Sequence, residues 1–375
     1  MRGAGIEDAR IGVFLCNCQG CIGDTIDLEE VSKRVRGLQN VIRIYVDDRL
    51  CSRESLRKLR RLCQAEAVDG VVVGACSPQL YLEEFRSALG HAGVKAQMIE
   101  MANLREQCAW IHSRTKRLAS SKAADLVEMA VAKVLASDVS ETGCKAVVSN
   151  DVCDGCGICM SVCRLEAIRI VPDPVREGKV IATVDTEKCD GCGACVAACP
   201  SGAMDQGCFS NEQIIAQIDV ATRRKGEDGD FRPNVLVFTC NWCSYAAADK
   251  AGLKRLELPP NFHVIRTMCS ARVDPEWVLR AFSRGVDGVL ILAGRPGECH
   301  YEVGNLRTRK RIALLRRILG QLGFREERLS LAWVNSDEPD EFRKGVAGFI
   351  DMVLDLGPNP LRSPGDRVRE GDSPR

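Results

Sequence analysis

The sequence has almost no net charge and no long run of apolar residues. Its 375 residues include 52 Lys and Arg against 51 Asp and Glu, which gives a formal net charge of +1. A protein that binds a polyanion is usually more basic, so we expect no nucleic-acid partner. The longest apolar runs, such as residues 289–293, are as short as a strand, whereas a membrane helix needs about 18 residues or more. We therefore expect no membrane span.

Two further patterns are missing. An export signal needs an apolar core near the N-terminus, but Glu7, Asp8 and Arg10 are charged, and the apolar residues 11–16 that follow are too few. We therefore expect a cytoplasmic protein. In addition, no GxGxxG turn follows a strand-like run anywhere in the chain, so a dinucleotide-binding fold is not indicated.

Cysteine, in contrast, is abundant, at 21 of 375 residues. Clustered cysteines in a reducing compartment bind metal or carry redox chemistry more often than they form disulfides. We therefore interpret most of these cysteines as metal or iron–sulfur ligands.

Strand-like and helix-like segments alternate in residues 10–140 and again in residues 234–357, which predicts two small parallel-sheet α/β domains. The predicted strands cover residues 11–16, 41–46, 70–75, 96–101, 235–239, 263–268, 288–293 and 329–334. The predicted helices lie near residues 28–36, 52–65, 80–92, 103–136, 243–256, 274–284, 301–322 and 338–356. Between the two domains, residues 144–209 form a separate block. We expect a flexible N-terminus over 1–9, a linker over 210–233 and a disordered tail over 358–375.

The middle block contains a repeat with a shift of 36 residues, CDGCGICMSVC from Cys153 and CDGCGACVAAC from Cys189. The spacing C-x-x-C-x-x-C-x-x-x-C is that of bacterial two-cluster ferredoxins, in which the fourth cysteine of each half binds the cluster of the other half. One [4Fe–4S] cluster is thus predicted on one interleaved set of four cysteines and a second on the other. These two sets are Cys153, Cys156, Cys159, Cys199 and Cys189, Cys192, Cys195, Cys163.

Two zinc sites are the alternative, because CxxC pairs also hold zinc. The third cysteine at this spacing favours iron–sulfur clusters, since zinc does not need it. The first half also departs from the usual pattern, because Arg164 follows Cys163 where Pro200 follows Cys199 in the second half. Arg164 either favours the reduced state of the nearby cluster or is a plain surface residue.

Four cysteines of the last block follow its predicted strands: Cys240, Cys243, Cys269 and Cys299. Strands of a parallel sheet end at one edge, which is where α/β folds bind ligands. We therefore expect these thiols to converge. The spacing alone leaves zinc, [2Fe–2S] and [4Fe–4S] open.

The first block repeats this arrangement with Cys16, Cys18, Cys51, Cys76 and Cys108. A cubane needs four of these five thiols. Some of them could instead be small buried apolar residues, as free cysteine often is. We interpret the remaining four cysteines, Cys21, Cys63, Cys144 and Cys208, as structural, with Cys21 as a possible alternate ligand.

The first block resembles the N-terminal domain of the A subunit of heterodisulfide reductase. The resemblance rests on IGVFLCNCQG, the segment around Cys51, VVVGACSPQL and EMANLREQCAWIH. It implies an iron–sulfur cluster on Cys18, Cys51, Cys76 and Cys108. That family carries a large flavin domain after this block, whereas here the chain passes directly into the ferredoxin repeat, so we predict no FAD.

The last block resembles the delta subunit of methyl-viologen-reducing hydrogenase through FTCNWCSYAAAD, RTMCSARVDPEWVLRAF and PGECHYEVGNLRTRKR. This resemblance implies a [2Fe–2S] cluster and electron transfer between an input module and heterodisulfide reductase. Members of that family often have a further cysteine where Gly294 stands here. Its absence favours Cys240, Cys243, Cys269 and Cys299 as the ligands.

We therefore predict a multi-cluster electron-transfer subunit that works with other subunits of a redox complex, hydrogenase-like, dehydrogenase-like or heterodisulfide-reductase-like. No acid–base or nucleophilic group of residues is evident, so we do not expect catalysis by the chain alone. An iron–sulfur enzyme that reduces a disulfide or small acceptor at the N-terminal cluster is the alternative. A zinc-stabilised scaffold is a third hypothesis.

Iron analysis tests these interpretations. Anaerobically purified protein should hold about fourteen irons per chain, from three cubanes and one [2Fe–2S] cluster, with a matching count of sulfide. A colourless preparation that contains zinc would contradict the prediction.

Overall fold

The computed structural model describes residues 8–137, 143–223 and 231–361. The predicted N-terminal segment 1–9 lies mostly outside these ranges. In the described parts of the chain, no helix is long and apolar enough to cross a membrane.

The first α/β domain is a four-stranded parallel sheet with the order β2-β1-β3-β4. Its elements are β1 (Ile11–Cys16), α1 (Leu28–Arg36), β2 (Val41–Asp47), α2 (Arg53–Ala65), β3 (Gly70–Ala75), α3 (Pro78–Gly90), β4 (Ile99–Asn103) and α4 (Lys116–Leu135). The central strands β1 and β3 are apolar and buried along their whole length, as expected for a parallel sheet covered by helices on both faces. Asp27, Ser52 and Ser77 cap the first three helices through their side-chain oxygens.

The middle block consists of two antiparallel pairs of strands and a short helix. Its elements are β5 (Ala146–Val148), α5 (Ile158–Val162), β6 (Ile168–Pro172), β7 (Val180–Val184) and β8 (Met204–Gln206). β5 pairs with β8, and β6 pairs with β7. A disulfide joins Cys144 to Cys208, at the two ends of the block. The sequence indicates a structural role for these two cysteines but does not pair them.

The linker expected over 210–233 is in part a helix. Residues Asn211–Ala221 form α6, which begins with a capping box between Ser210 and Gln213. Ile214 and Ile218 are fully buried, because α6 packs along α4 of the first domain. Residues 224–230 of the predicted linker lie outside the described residues.

The last domain repeats the topology of the first, with a parallel sheet in the order β10-β9-β11-β12. Its elements are β9 (Val235–Cys240), α7 (Ser244–Leu253), β10 (Phe262–Thr267), α8 (Pro275–Ser283), β11 (Gly288–Ala293), α9 (Gly304–Gln321), β12 (Leu329–Trp333) and α10 (Pro339–Leu356). The fold class predicted from the sequence, two parallel-sheet α/β domains around a ferredoxin block, is confirmed.

The beginning of the predicted tail is anchored. The Asn359 side chain is buried and donates to the backbone carbonyls of Phe282 and Val286. The backbone amide of Asn359 donates to Asp287. Residues 362–375 of the predicted tail lie outside the described ranges.

A buried polar network joins the two α/β domains at Asp249 of α7. Its carboxylate accepts from the Asn103 amide at 2.8 Å, from the Gln107 amide at 2.7 Å and from the Ser77 hydroxyl. Burial nevertheless raises the pKa of Asp249 to about 6. The three donors come from the first domain, so each would lose its partner if the domains separated.

The variant Asp249→Ala tests how much this network contributes to the free energy of unfolding. It leaves three donors buried without an acceptor, so we expect the free energy of unfolding to fall by about 2–3 kcal/mol. Anaerobic urea unfolding measures this as a lower midpoint. The control is Asp340→Ala, which removes an exposed partner of Lys254 and should leave the midpoint unchanged. Equal midpoints for the two variants would contradict the prediction.

Candidate cluster sites

The first ferredoxin set lines one cavity. Cys153, Cys156, Cys159 and Cys199 all contribute to its wall. Burial raises the pKa of Cys159, and the neighbouring thiols of Cys199, Cys153 and Cys156 act in the same direction. The backbone amide of Ala182 donates to the Cys153 sulfur at 3.4 Å. The structure thus brings Cys199 of the second half to the cysteines of the first half, which is the grouping that the repeat predicts.

The second set is formed in the complementary way. Burial raises the pKa of Cys195, and the thiols of Cys192, Cys189 and Cys163 add to this effect. Burial also raises the pKa of Cys192 to about 11. Backbone amides of Ala146 and Ala167 donate to the sulfurs of Cys189 and Cys163, at 3.5 and 3.4 Å. Such N–H···S bonds are a recognised means of tuning iron–sulfur clusters.

All eight donors of the two ferredoxin sets are thiols, and thiolates are the usual ligands of iron–sulfur clusters. In the residues that the structure describes, no three His, Cys, Asp or Glu side chains converge tightly enough to hold one metal ion. The four thiols of the first set instead line a cavity, which suits a cluster, since each thiolate then binds a different iron. That these thiols hold clusters remains a prediction.

The thiols of the last domain also gather at the carboxyl edge of its sheet. The sulfurs of Cys240 and Cys243 are 4.0 Å apart, and the Cys269 and Cys299 thiols are hydrogen-bonded to each other. This bond from Cys269 lowers the pKa of Cys299 to about 6. The backbone amide of Ala271 donates to the Cys269 sulfur at 3.4 Å.

Two glycines leave space around these sulfurs. A Cβ atom on Gly294 would lie 2.7 Å from the Cys243 sulfur, and one on Gly304 would overlap the Cys269 sulfur. Any side chain at either position would therefore crowd the sulfur of Cys243 or of Cys269. Gly294 is the position at which the resemblance leads one to expect a fifth cysteine.

In the first domain, Cys16 and Cys18 form a hydrogen-bonded pair at the end of β1. The bond from Cys16, together with the Arg105 guanidinium 3.4 Å from the Cys18 sulfur, lowers the pKa of Cys18 to about 6. Cys18 and Arg105 are also electrostatic neighbours of Cys76, whose pKa burial raises to about 12. Cys51 and Cys76 are both electrostatic neighbours of Tyr81. The structure therefore groups four thiols of the predicted five.

Cys108 lies apart from this group. It is fully buried, and its thiol donates to the Ala119 carbonyl at 3.3 Å. Its charged neighbours are Lys122 and Asp125 of α4. The separation arises because residues Arg105–Ala109 form a short π-helical turn, which directs Cys108 towards α4. Of the leftover cysteines, Cys21 is exposed and Cys63 is buried in α2.

The second ferredoxin set and the last-domain set share one buried apolar cluster. It contains Ala194, Cys269, Ala271 and Tyr301, with Cys192 and Cys299 packed against it. Cysteines of both sets thus adjoin the same buried cluster, so the two sites are neighbours.

Arg272 lies at the same contact and is fully buried. Its Nη2 donates to the Phe209 carbonyl at 3.2 Å and to the Asn211 side chain at 2.9 Å. Its Nε and Nη1 have no hydrogen-bond partner among the described residues, and Cys195 is one of its electrostatic neighbours. Burial lowers the pKa of Arg272 to about 10, so the group is still a cation at neutral pH. Two unpaired donors beside cluster cysteines fit an anionic group at this position.

Arg164 stands where the ferredoxin pattern has proline, and it bridges the ferredoxin block and the last domain. Its guanidinium pairs with Asp190 at 2.6 Å and with Glu302 at 2.9 Å. Asp190 belongs to the second cysteine loop, and Glu302 follows Cys299 in the last domain. The sequence singled out Arg164 without indicating this bridge, and no sequence signal identified Arg272.

Comparisons with known proteins agree with this arrangement. Residues 152–203 match the family model of the 4Fe-4S dicluster domain, and residues 235–357 match that of the methyl-viologen-reducing hydrogenase delta subunit. The chain is 36% identical over 141 residues to the D-type iron-sulfur subunit of the F420-non-reducing hydrogenase vhc of Methanococcus voltae. This match covers 38% of this chain and 98% of that protein.

Two heterodisulfide reductase proteins match a larger part of the chain. The A subunit of ferredoxin:CoB-CoM heterodisulfide reductase from Methanosarcina mazei is 44% identical over 213 residues, which is 57% of this chain and 26% of that protein. The A subunit of the ferredoxin/F(420)H(2)-dependent CoB-CoM heterodisulfide reductase from Methanosarcina acetivorans is 45% identical over the same length. The chain thus spans about a quarter of the length of these relatives.

The fold and these matches define an iron–sulfur protein with a 4Fe-4S dicluster domain between two α/β domains. Through its last domain, the chain belongs to the methyl-viologen-reducing hydrogenase delta subunit family. The resemblance of its first part to the A subunit of heterodisulfide reductase is also confirmed.

Two equivalent glycines of the repeat provide a matched test of the second site. Gly157 and Gly193 both have positive φ, at 77° and 75°, but only a Cβ on Gly193 would meet Arg272, at 2.5 Å. Gly157→Ala should cost about 1–2 kcal/mol for the left-handed backbone. Gly193→Ala should cost more and release iron from the second site, because Arg272 must move. Iron content and thermal midpoints measure both effects. A similar loss in both variants would contradict the prediction.

Proposed function

We propose that this chain is a multi-cluster electron-transfer subunit. It relays electrons between a partner oxidoreductase, hydrogenase-like or dehydrogenase-like, and a heterodisulfide-reductase-like or ferredoxin-linked module. The single observation that carries this proposal is that Cys192 of the second ferredoxin set and Cys299 of the last-domain set both pack against one buried cluster, which also contains Cys269. Because electron transfer weakens steeply with distance, two redox sites that adjoin one buried cluster form a conducting pair.

The proposed ligands are the four thiol sets described above. Cys153, Cys156, Cys159 and Cys199 hold one [4Fe–4S] cluster, and Cys189, Cys192, Cys195 and Cys163 hold the second. Cys240, Cys243, Cys269 and Cys299 hold a [2Fe–2S] cluster, and Cys16, Cys18, Cys51 and Cys76 hold a further [4Fe–4S] cluster. When bound, such clusters accept and release single electrons.

The surrounding residues keep water out and supply positive charge. Arg272 has no exposed surface and places its two unpaired donors beside the second thiol set. An added electron makes this site more negative, and a buried cation stabilises that charge more strongly than an exposed one does. In the first domain, Arg105 donates directly to the Cys18 sulfur at 3.4 Å. Asp205 pairs with Arg272 at 3.4 Å and Glu106 pairs with Arg105 at 2.6 Å, so these carboxylates offset part of the positive charge. The remaining part favours the reduced state of the two sites.

Salt bridges hold the conducting pair together. Arg164 connects Asp190 of the second loop to Glu302 of the last domain, and Tyr301 accepts a hydrogen bond from Trp242 at 3.0 Å. The Arg164 contacts join the loop that carries Cys192 to the segment that follows Cys299. The role of Arg164 is therefore to position two loops, in addition to the effect of its charge.

The names of the relatives indicate the kind of complex in which the chain would work. The names of two of them include heterodisulfide reductase, and another is an iron-sulfur protein of a hydrogenase. We infer that the chain docks with subunits of such a redox complex in the cytoplasm and carries no FAD of its own. The alternative of an enzyme using a spare N-terminal thiol has less support, because Cys108, the fifth thiol of that set, is buried beside Ala119.

EPR spectroscopy of the reduced protein tests the conducting pair. Two paramagnetic centres in contact broaden each other's signals, so the second ferredoxin signal should be split in the intact chain. Cys299→Ser removes a ligand of the last-domain site and should abolish the part of the splitting that this site causes, while the three [4Fe–4S] signals and the coupling between the two ferredoxin clusters remain.

Cys18→Ser is the control, because it disables the first-domain site. This variant should leave the splitting between the second ferredoxin site and the last-domain site in place. Unsplit spectra in the intact chain, with all clusters present by iron analysis, would contradict the proposal.

A further inference from the structure

The Cys144–Cys208 disulfide has no role in the relay described so far. Both cysteines are partly exposed and line a cleft of about 480 Å³ where the three domains meet. Lys133 of the first domain and Trp242 and Arg266 of the last domain line the same cleft. A disulfide that only stabilises a fold does not need access to solvent through a cleft. A disulfide that exchanges electrons and protons does need such access.

The disulfide also lies against the second cluster loop. Gly191 approaches Cys144 so closely that a Cβ atom would overlap the Cys144 carbonyl. The buried Gln206 amide donates to the carbonyls of both Cys144 and Gly191. Two residues beyond Cys144, the Ala146 amide donates to the Cys189 sulfur at 3.5 Å. A few bonds and one hydrogen-bonded side chain thus connect the disulfide to a proposed cluster ligand.

The cleft carries positive charge beside the disulfide. Lys133 and Arg266 pack over the Phe209 ring, at 4.4 and 5.5 Å from its centre, and Phe209 follows Cys208 directly. Glu100 pairs with Lys133 at 2.6 Å and lies 3.8 Å from Arg266, so it offsets one of the two charges. The remaining positive charge stabilises the negative charge that forms when a disulfide accepts an electron.

From these observations we propose that Cys144–Cys208 is a redox-active disulfide that accepts two electrons through the second ferredoxin site. The S–S bond breaks, two electrons arrive one at a time from a low-potential one-electron donor, and two protons from water in the cleft complete two thiols. Each donor equivalent is oxidised by one electron. The chain thereby gains a two-electron store beside its one-electron relay. This inference rests on the proposed function.

Thiol alkylation of the full chain tests the proposal. Anaerobic protein is reduced with viologen radical, quenched with iodoacetamide and digested, and the peptides with Cys144 and Cys208 are quantified by mass spectrometry. Neither cysteine should be alkylated before reduction, and both should be alkylated after it. In a reductive titration, the intact chain should take up two more electrons than Cys144→Ser/Cys208→Ser. If both cysteines remain unmodified until the protein is denatured, the disulfide is purely structural and the proposal is overturned.

Two variants show whether the electrons arrive through the second site. Cys192→Ser disables that site, and Gln206→Leu leaves every ligand in place but removes the hydrogen bonds to Cys144 and Gly191. Alkylation should slow by at least tenfold in the first variant and measurably in the second. Unchanged rates in both would mean that the dye reduces the disulfide directly, which also overturns the proposal. Iron content and EPR signals of the same samples report separately on the relay, so a missing cluster is distinguishable from an inert disulfide.

Discussion

Thiols that lie far apart in the sequence have to surround one cavity, and most of this fold can be understood from that requirement. A parallel sheet meets it directly, because successive strands end at the same edge even when about 30 residues separate them. Cys240 and Cys269 are brought together in this way at the ends of β9 and β10. The ferredoxin block meets it by exchange, since each half provides one thiol to the other half. The exchange works only because glycines with positive φ, such as Gly155 and Gly191, turn the cysteine loops back on themselves.

Burial of these thiols creates an electrostatic problem that buried cations solve. Reduction adds negative charge to sites with little access to water, where an uncompensated charge is costly. Arg272 is placed where two such sites meet, and its aliphatic chain packs against Gly193. Because its guanidinium is anchored by the Phe209 carbonyl and Asn211, the same side chain also connects the last domain to the end of the ferredoxin block. Charge compensation and domain docking are therefore properties of one residue.

The sequence allowed the strands, the sheet type and the grouping of the ferredoxin cysteines to be predicted, because each depends on local pattern or fixed spacing. Helix α6 was missed, although Ser210 and Gln213 form a capping signal, because the neighbouring charged segment suggested a linker. The predicted strand over 96–101 begins instead at Ile99, since Ala96–Met98 form a 3₁₀ turn. Arg272 and the Cys144–Cys208 pair depend on contacts across more than sixty residues, and no local pattern encodes such contacts.

The two α/β sheets have the same strand order, so the chain contains the same sheet topology twice. Cys76 follows β3 directly, and Gly294 follows β11 directly. The two residues therefore occupy equivalent positions of the two sheets, and only the first domain has a thiol there. The last domain instead places its fourth thiol five residues later, at Cys299. The same sheet topology thus carries two different arrangements of cysteines within a single polypeptide. Transplanting a thiol between equivalent loops would reveal how far the type of cluster is decided by one position and how far by the surrounding domain.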